Sequence, residues 1–278
     1  MTDYSAYKHF TVSFPSDSVA HVEINRPQKL NAFNRAMWLE YGTLFNLLSV
    51  DPNIRAIVLS GSGPRAFCSG LDLMSSDVLT KEDPTVDPAR KAAEVRRFIK
   101  EFQDSISTVE SCEKPVICVL HGIAYGLAID ISSCADIRIA AKDVKLAVKE
   151  VDIGIAADIG TLSRLPKIVG SLGWVKEVAY TARVFGAEEA LREGFLQKVV
   201  ETKEAAIEEA TKLAKLMAEK SPLGVQGTKA IINYSIDHST AEGLEFTKVW
   251  NAAAVQAPDP KIAIEATLMK KKAVFAKL

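Results

Sequence analysis

Three carboxylic acids stand among small and apolar residues in the stretch from 121 to 161. They are Asp130, Glu150 and Asp158, and their neighbours are mostly Ala, Ile, Val and Gly. Asp and Glu are rarely buried without a partner, and an unpaired buried charge costs free energy. Spacings of twenty and eight residues are too wide for one helix face, so several elements must bring the acids together. The pattern indicates a site at which carboxylates act as general acids and bases.

Two of these acids also have a plainer interpretation. Asp158 could cap a helix that begins at Ile159. Glu150 could be a surface strand residue beside Lys149. The residues by themselves leave both interpretations open.

Two glycine-containing turns could supply hydrogen-bond donors beside the acids. The first is SGLD at 69–72, after an expected strand at 56–60, and the second is AYGLA at 124–128, after an expected strand at 115–120. A turn that leads into a helix leaves backbone N–H groups unpaired near the positive helix end. Two such donors aimed at one point form an oxyanion hole. Alternatively, both are only tight turns between strand and helix.

Other kinds of active site fit the sequence poorly. Neither turn matches the dinucleotide or phosphate-loop patterns, and the chain lacks the GxSxG elbow of serine hydrolases. No serine or cysteine has an evident histidine partner. Carboxylates beside an oxyanion hole instead favour removal of a proton next to a carbonyl group, through an enolate.

The elements that would position these groups follow an α/β pattern. Strands are predicted at 9–14, 19–24, 56–60, 115–120, 137–140, 146–148 and 199–200, and helices at 35–48 and 89–111. The run 161–183 is predicted to be helical, with Pro166 bending or dividing it. Four more helices are predicted at 203–219, 222–236, 240–256 and 259–275. We expect a core of residues 1–200 that holds the site and a helical C-terminal region of residues 201–278.

Composition narrows the function classes further. The chain has 278 residues, 48% hydrophobic and 25% charged, with a formal charge of −1; nucleic-acid binding is therefore not expected, nor is a membrane span. The four cysteines form no CxxC pair and the histidines no HExxH arrangement, so we expect buried thiols and no metal site. The final Ala276-Lys277-Leu278 is close to the SKL signal and predicts a peroxisomal location through the import receptor.

Several motifs together resemble the crotonase, or enoyl-CoA hydratase/isomerase, superfamily across nearly the whole chain. They are NRP at 25–27 with NA at 31–32, AFCSGLDL at 66–73, and CADIR at 134–138. Within the family, VKEVDIGIAADIGTL at 148–162 is similar to the isomerases that convert 3,5-dienoyl-CoA to 2,4-dienoyl-CoA. So are the segments at 221–227 and 234–239. The resemblance implies a crotonase-like spiral of ββα units with a C-terminal region that forms a trimer or a dimer of trimers.

The same resemblance implies roles for individual residues. The N–H groups of Leu71 and Leu127 would form the oxyanion hole, with Gly126 or Ala128 as alternative donors since relatives have Gly-Gly-Gly here. Glu150 and Asp158 would transfer protons, and Asp130 would act beside them. The acyl-CoA thioester would be bound by residues in the 25–32 loop and the two turns: Lys29, Leu30, Ala32, Ser69, Gly70, Asp72 and Gly126. The 75–90 loop would shape the acyl pocket, and no cofactor is implied beyond the CoA of the substrate.

The implied reaction moves two conjugated double bonds and needs a proton lost at C2 and a proton gained at C6. Two carboxylates suit this task, although the sequence does not assign one to each carbon. The alternatives are 3,2-enoyl-CoA isomerisation, which needs one base, and hydration, which Asp at 130 in place of Glu disfavours. A non-catalytic binding protein of the same fold is a further alternative.

Overall fold

Two β-sheets form the centre of the computed structural model, which describes residues 2–75 and 85–278. Most of the 75–90 loop lies outside the described residues. The strands are β1 Phe10–Ser16, β2 Val19–Ile24, β3 Ala56–Gly61, β4 Ala66–Cys68, β5 Val116–Leu120, β6 Ile123–Tyr125, β7 Ile137–Ala141, β8 Lys145–Ala147, β9 Phe185–Gly186 and β10 Lys198–Val200.

The larger sheet has the order β1-β2-β3-β5-β7-β10, and the smaller has the order β4-β6-β8-β9. The β1–β2 hairpin is antiparallel, and the remaining neighbours in the larger sheet are parallel. Successive pairs β3–β4, β5–β6 and β7–β8 each give one strand to each sheet. The chain therefore winds as a spiral that passes repeatedly from one sheet to the other.

Ten α-helices lie in the part of the chain that the structure describes. They are α1 Arg35–Val50, α2 Pro88–Ser111, α3 Leu127–Cys134, α4 Thr161–Ile168, α5 Leu172–Thr181, α6 Ala187–Arg192, α7 Lys203–Ala218, α8 Pro222–Ile236, α9 Thr240–Ala254 and α10 Asp259–Leu268. Short 3₁₀ helices occupy Pro27–Lys29, Leu73–Ser75 and Glu150–Ile153. Asn34, an N-cap type of residue, caps α1 by accepting the N–H of Met37 at 3.0 Å.

Small residues let the first C-terminal helix lie close to the larger sheet. Alanines at 206, 210, 214 and 218 recur every four residues along one face of α7 and are buried. They pack against apolar strand residues on the outer face of the sheet, such as Val58 and Val119. On the other face, a larger apolar cluster joins the sheet to α1, α3 and the smaller sheet. All four cysteines are free and buried, as the sequence predicts.

Three expectations from the sequence need correction. The 161–183 run forms two helices, and the break lies at 169–171 rather than at Pro166, which sits inside α4. The last helix ends at Leu268 instead of 275, and Lys270 has a left-handed φ of 52° that cannot continue a helix. The short strands β4 and β6 were not predicted, so both turns follow the smaller sheet rather than directly following β3 and β5.

Candidate active site

The two glycine turns lie against each other at the edge of the smaller sheet. Gly70 and Gly126 both have positive φ, 107° and 55°, which side chains with a Cβ rarely adopt. A Cβ placed on Gly70 would lie 3.2 Å from the carbonyl oxygen of Tyr125. The turns after β4 and β6 are therefore in close backbone contact, and the residues that follow them, Leu71 and Leu127, are brought together.

The N–H groups of Leu71 and Leu127 are free to bind a ligand. Phe33 donates to the oxygen of Gly70 at 2.9 Å and accepts from the N–H of Asp72 at 2.7 Å. This pairing turns the intervening Leu71 N–H away from Phe33, as in a parallel ladder. Leu127 is the first residue of α3, so its N–H has no partner within the helix. Among the described residues, neither group donates a hydrogen bond.

One alternative donor from the sequence analysis is wrong. The N–H of Gly126 donates to the carbonyl oxygen of Ala147 at 2.9 Å. It belongs to the contact between β6 and β8 and cannot also hold an oxyanion. The N–H groups of Leu127 and Ala128 lie in the first turn of α3, without a partner within the helix and near its positive end, so both remain candidate donors.

Asp130 is buried in the first turns of α3, with 1% of its surface exposed. Its Oδ1 accepts two hydrogen bonds from Thr161, one from the main-chain N–H and one from the hydroxyl, each at 2.7 Å. Burial raises the pKa of Asp130 to about 7, and the charge of Glu150 contributes to the rise. Asp130 thus connects α3 to the start of α4 and does not face open solvent.

Glu150 lies beside the second turn. A Cβ on Gly126 would be 3.2 Å from Glu150 Oε1, and Glu150 Oε2 is buried with no hydrogen-bond partner among the described residues. Lys149 pairs instead with Asp152, at 2.8 Å. Glu150 begins a 3₁₀ helix, so the alternative of a surface strand residue is wrong. A partly buried carboxyl with one unpaired oxygen, beside the Gly126 turn, is suited to proton transfer.

Asp158 is half-buried on the loop that leads into α4. The helix N-cap is Gly160, with no side-chain cap, so the capping alternative for Asp158 is wrong. Burial raises the pKa of Asp158, and it also raises the pKa of Glu150, to which the charge of Asp158 adds. The charge of Asp158 thus acts on the Glu150 carboxyl. Such a pair readily holds one proton between its members.

The 25–32 loop packs against the first turn, as a substrate-binding segment would. Leu30 and Asn31 both have positive φ, and the buried Asn31 side chain holds this bend by donating to the oxygens of Ser62 and Ala66. Lys29 is exposed at the end of a 3₁₀ helix. A cavity of about 220 Å³ lies between this loop and residues 62–66.

Four of the predicted contact residues, Leu30, Ala32, Ser69 and Asp72, have structural contacts in this region. Arg26 donates to the carbonyl oxygen of Ala32 at 2.9 Å and forms an ion pair with Asp72 at 2.8 Å. The N–H of Ser69 donates to the oxygen of Leu30 at 3.0 Å. These contacts join the 25–32 loop to the Gly70 turn. The predicted residues of the two segments therefore share one surface.

Sequence reasoning missed the residues behind Asp158. Gln103, Ser107 and Glu110 lie at positions i, i+4 and i+7 of α2 and so share one face. That spacing is visible in the sequence, but the sequence does not indicate which segment of the chain this face of α2 contacts. A cavity of about 1430 Å³ between α2, α4 and α8 reaches Asp158. Among the described residues, its walls include neither Glu150 nor the two turns, so only its Asp158 end adjoins the site.

The chain is similar to known proteins over nearly its whole length. The profile of the enoyl-CoA hydratase/isomerase family matches residues 15–277. The chain is 41% identical to the mitochondrial Delta(3,5)-Delta(2,4)-dienoyl-CoA isomerase of Rattus norvegicus, over 98% of this chain and 84% of the rat protein. It is 40% identical to the peroxisomal protein of that name from Arabidopsis thaliana, over 94% of each chain.

The comparison with solved structures indicates the same family. The crystal structure of an enoyl-CoA hydratase from Bacillus anthracis superposes with a TM-score of 0.87 at 26% identity, covering 97% of this chain and 99% of the bacterial one. The predicted crotonase-like fold is thereby confirmed. The profile match and the identity to these relatives over nearly the whole chain show that the chain belongs to the enoyl-CoA hydratase/isomerase family.

Proposed function

We propose that this protein isomerises 3,5-dienoyl-CoA to 2,4-dienoyl-CoA in fatty-acid β-oxidation. The observation that carries the proposal is a second acid near the first: Glu150 lies beside the Gly126 turn, and the charge of Asp158 acts on Glu150. A 3,5 to 2,4 shift needs proton transfer at two distant carbons, and two acids can serve them separately. The rat and Arabidopsis relatives, named as isomerases of this kind, support the proposal.

The thioester oxygen binds to the N–H groups of Leu71 and Leu127. As the C2 proton leaves, negative charge develops on this oxygen, and the two donors stabilise it along the reaction. Removing one such donor typically costs about 2.7–4 kcal/mol in barrier height. The start of α3 adds the favourable field of its N-terminus.

Glu150 removes the proton from C2, and Asp158 supplies the proton to C6. C2 is bonded to the carbonyl carbon, so the base for C2 must lie beside the oxyanion donors. Glu150 has that position, because its Oε1 approaches Gly126. Loss of the C2 proton gives a dienolate whose electrons extend from the thioester oxygen to C6. Protonation at C6 then leaves double bonds at C2–C3 and C4–C5, and the working form of the pair holds one proton.

Asp130 supports the site rather than carrying protons through it. Both of its hydrogen bonds go to Thr161, three residues after Asp158. Its shorter side chain, compared with the Glu of hydratases, argues against activation of a water for hydration. Hydration and 3,2-enoyl-CoA isomerisation remain the alternative activities within the family, and a non-catalytic binding role is the alternative outside catalysis.

The acyl-CoA thioester is the only partner that the chemistry requires, and CoA enters as part of the substrate. The 25–32 loop and the two turns contact it through Lys29, Leu30, Ala32, Ser69, Gly70, Asp72 and Gly126. We assign residues 1–200 to the acyl-CoA site and residues 201–278 to closure of the site and to assembly as a trimer or a dimer of trimers.

The proposed location is the peroxisome, reached through recognition of Ala276-Lys277-Leu278 by the import receptor. The Arabidopsis relative is named as peroxisomal and the rat relative as mitochondrial. Among the described residues, no helix combines the length and apolar character needed to cross a bilayer.

An ultraviolet assay on the purified protein tests the proposed activity. 3,5-Dienoyl-CoA should be converted to the conjugated 2,4-dienoyl-CoA chromophore. Turnover of 3-enoyl-CoA and hydration of 2-enoyl-CoA, measured on the same preparation, should be slower. Faster turnover of 3-enoyl-CoA or faster hydration would select the corresponding alternative, and no turnover of any of the three would favour the binding role.

A further inference from the structure

One face of α2 lies behind the loop that carries Asp158. Gln103 donates from its side-chain amide to the carbonyl oxygen of Asp158 at 2.5 Å. Four residues further along the same face, Ser107 accepts a hydrogen bond from Arg164 of α4 at 2.8 Å. One turn later, Glu110 pairs with the same guanidinium at 2.7 Å. The face therefore contacts both ends of the segment 158–164.

The segment between these contacts is held tightly as well. Gly160 has a φ of 151°, and a Cβ there would lie 1.8 Å from Arg164 Nη1. The guanidinium thus packs on the main chain at Gly160, and its Nη1 approaches the oxygen of Ile159 at 3.5 Å. On the far side, Thr161 is fixed to Asp130 by two hydrogen bonds. The main chain is held at successive residues from 158 to 161.

Of these contacts, the one from Gln103 is made to Asp158 itself, the residue whose carboxyl reacts. An aspartate carboxyl is separated from its main chain by one Cβ, so χ1 and the main-chain position largely determine where its oxygens lie. The Gln103 bond is made to the carbonyl group of Asp158 itself. Holding that carbonyl therefore limits the position of the carboxyl directly.

We propose that Gln103 is a positioning residue that holds the Asp158 main chain, so that the Asp158 carboxyl meets C6 of the bound dienolate. The Arg164–Glu110 pair supports the same loop from the other end. Proton transfer depends steeply on the separation of the reacting atoms, and a misplacement of about 1 Å can cost about 10²-fold in rate. Gln103 contributes no atom to the reaction and acts only through Asp158.

The substitution Gln103→Met removes the donor and keeps the length of the side chain. We expect the kcat of isomerisation to fall about 10- to 100-fold, with KM for 3,5-dienoyl-CoA changed less than about 3-fold. Exchange of the C2 proton in D₂O, which depends on Glu150, should stay near the wild-type rate. In an Asp158→Asn background, which forms no product but still exchanges the C2 proton, Gln103→Met should leave the rate of C2 exchange unchanged, because Gln103 acts only through Asp158.

Lys100→Met is the matched control. Lys100 lies three residues earlier on α2, is exposed, and pairs with Asp104, so this variant should keep wild-type kcat. Thermal unfolding of both variants separates loss of folding from loss of positioning.

Two results would overturn the positioning role: wild-type kcat in Gln103→Met, or an equal loss of C2 exchange and isomerisation. The inference rests on the proposed function, and the two fail differently. A wild-type protein that converts no 3,5-dienoyl-CoA refutes the function, whereas a converting protein that is indifferent to Gln103→Met refutes only the role of Gln103.

Discussion

Asp130 is a carboxyl that the fold shields from water and joins to Thr161. Thr161 donates two hydrogen bonds to Asp130 Oδ1, and burial raises the pKa of Asp130 to about 7. The unfolded chain ionises the same group near pH 4. Between these values the native protein holds a proton that the unfolded chain has released.

Asp130 should therefore make the protein less stable as the pH rises. The stabilising contribution of Asp130 to the free energy of unfolding is fully present below about pH 4. It is lost as the pH rises through about 7. Asp130→Asn, which cannot ionise, should remove part of this slope and raise Tm relative to wild type more at pH 8 than at pH 5. Between pH 5 and pH 8 the effect of Asp130→Asn on the free energy of unfolding should grow by about 3 kcal/mol, at about 1.36 kcal/mol for each pH unit between 5 and the pKa of about 7. Thermal unfolding across pH 4–9 checks it, and parallel slopes for both proteins would show that Asp130 is not protonated in the fold.

At the scale of elements, the turn between β6 and α3 links the oxyanion donor to the base. Gly126 adopts a φ of 55° and leaves no room for a Cβ without crowding Glu150 Oε1. The conformation at this glycine places the Leu127 N–H and the Glu150 carboxyl side by side. A change here affects both groups together.

Gly126→Ala should reduce kcat by about 10²–10³-fold, the cost of a lost oxyanion donor. Gly170→Ala is the control, since Gly170 lies outside the left-handed region and a Cβ there would meet no atom within 4 Å. Steady-state kinetics with 3,5-dienoyl-CoA measures both. Wild-type kcat in Gly126→Ala would mean that the turn does not determine the position of the donor.

Local signals predicted most of the helices and the strands of the larger sheet. Caps such as Asn34 and buried apolar runs such as β3 act within a few residues. The strands β4 and β6 were not predicted, because each lies in a short segment next to a glycine turn and pairs with residues distant in the sequence. Partners such as Gln103 and Asp158 lie 55 residues apart, so their contact depends on how α2 crosses the sheets. The three acids could be identified from the sequence, whereas the residues that position them could be identified only from the fold.

At the scale of the whole molecule, the C-terminal helices leave apolar side chains in solvent. Exposed positions on α8–α10 include Ile232, Ile236, Leu244, Val249, Ile264 and Leu268. An exposed set of this kind is typical of a surface that another chain covers. The proposed trimer would bury such a face.

Light scattering should give a mass near 90 kDa, or twice that for a dimer of trimers, against 30.2 kDa for one chain. Leu244→Glu with Val249→Glu should lower the mass, because burying two carboxylates opposes association. Lys248→Gln, an exposed change on the same helix, should leave the mass unchanged. A wild-type mass near 30 kDa would contradict the proposed assembly.

The central claim is that Glu150 and Asp158 serve different carbons of one substrate, and Asp158→Asn tests it most directly. With 3,5-dienoyl-CoA in D₂O, the ultraviolet signal reports the 2,4-dienoyl product and NMR reports exchange at C2. We predict that Asp158→Asn forms no detectable chromophore, exchanges the C2 proton at a rate near wild type, and binds acyl-CoA nearly as tightly. Full turnover in the purified variant, or loss of C2 exchange together with product, would contradict the assignment.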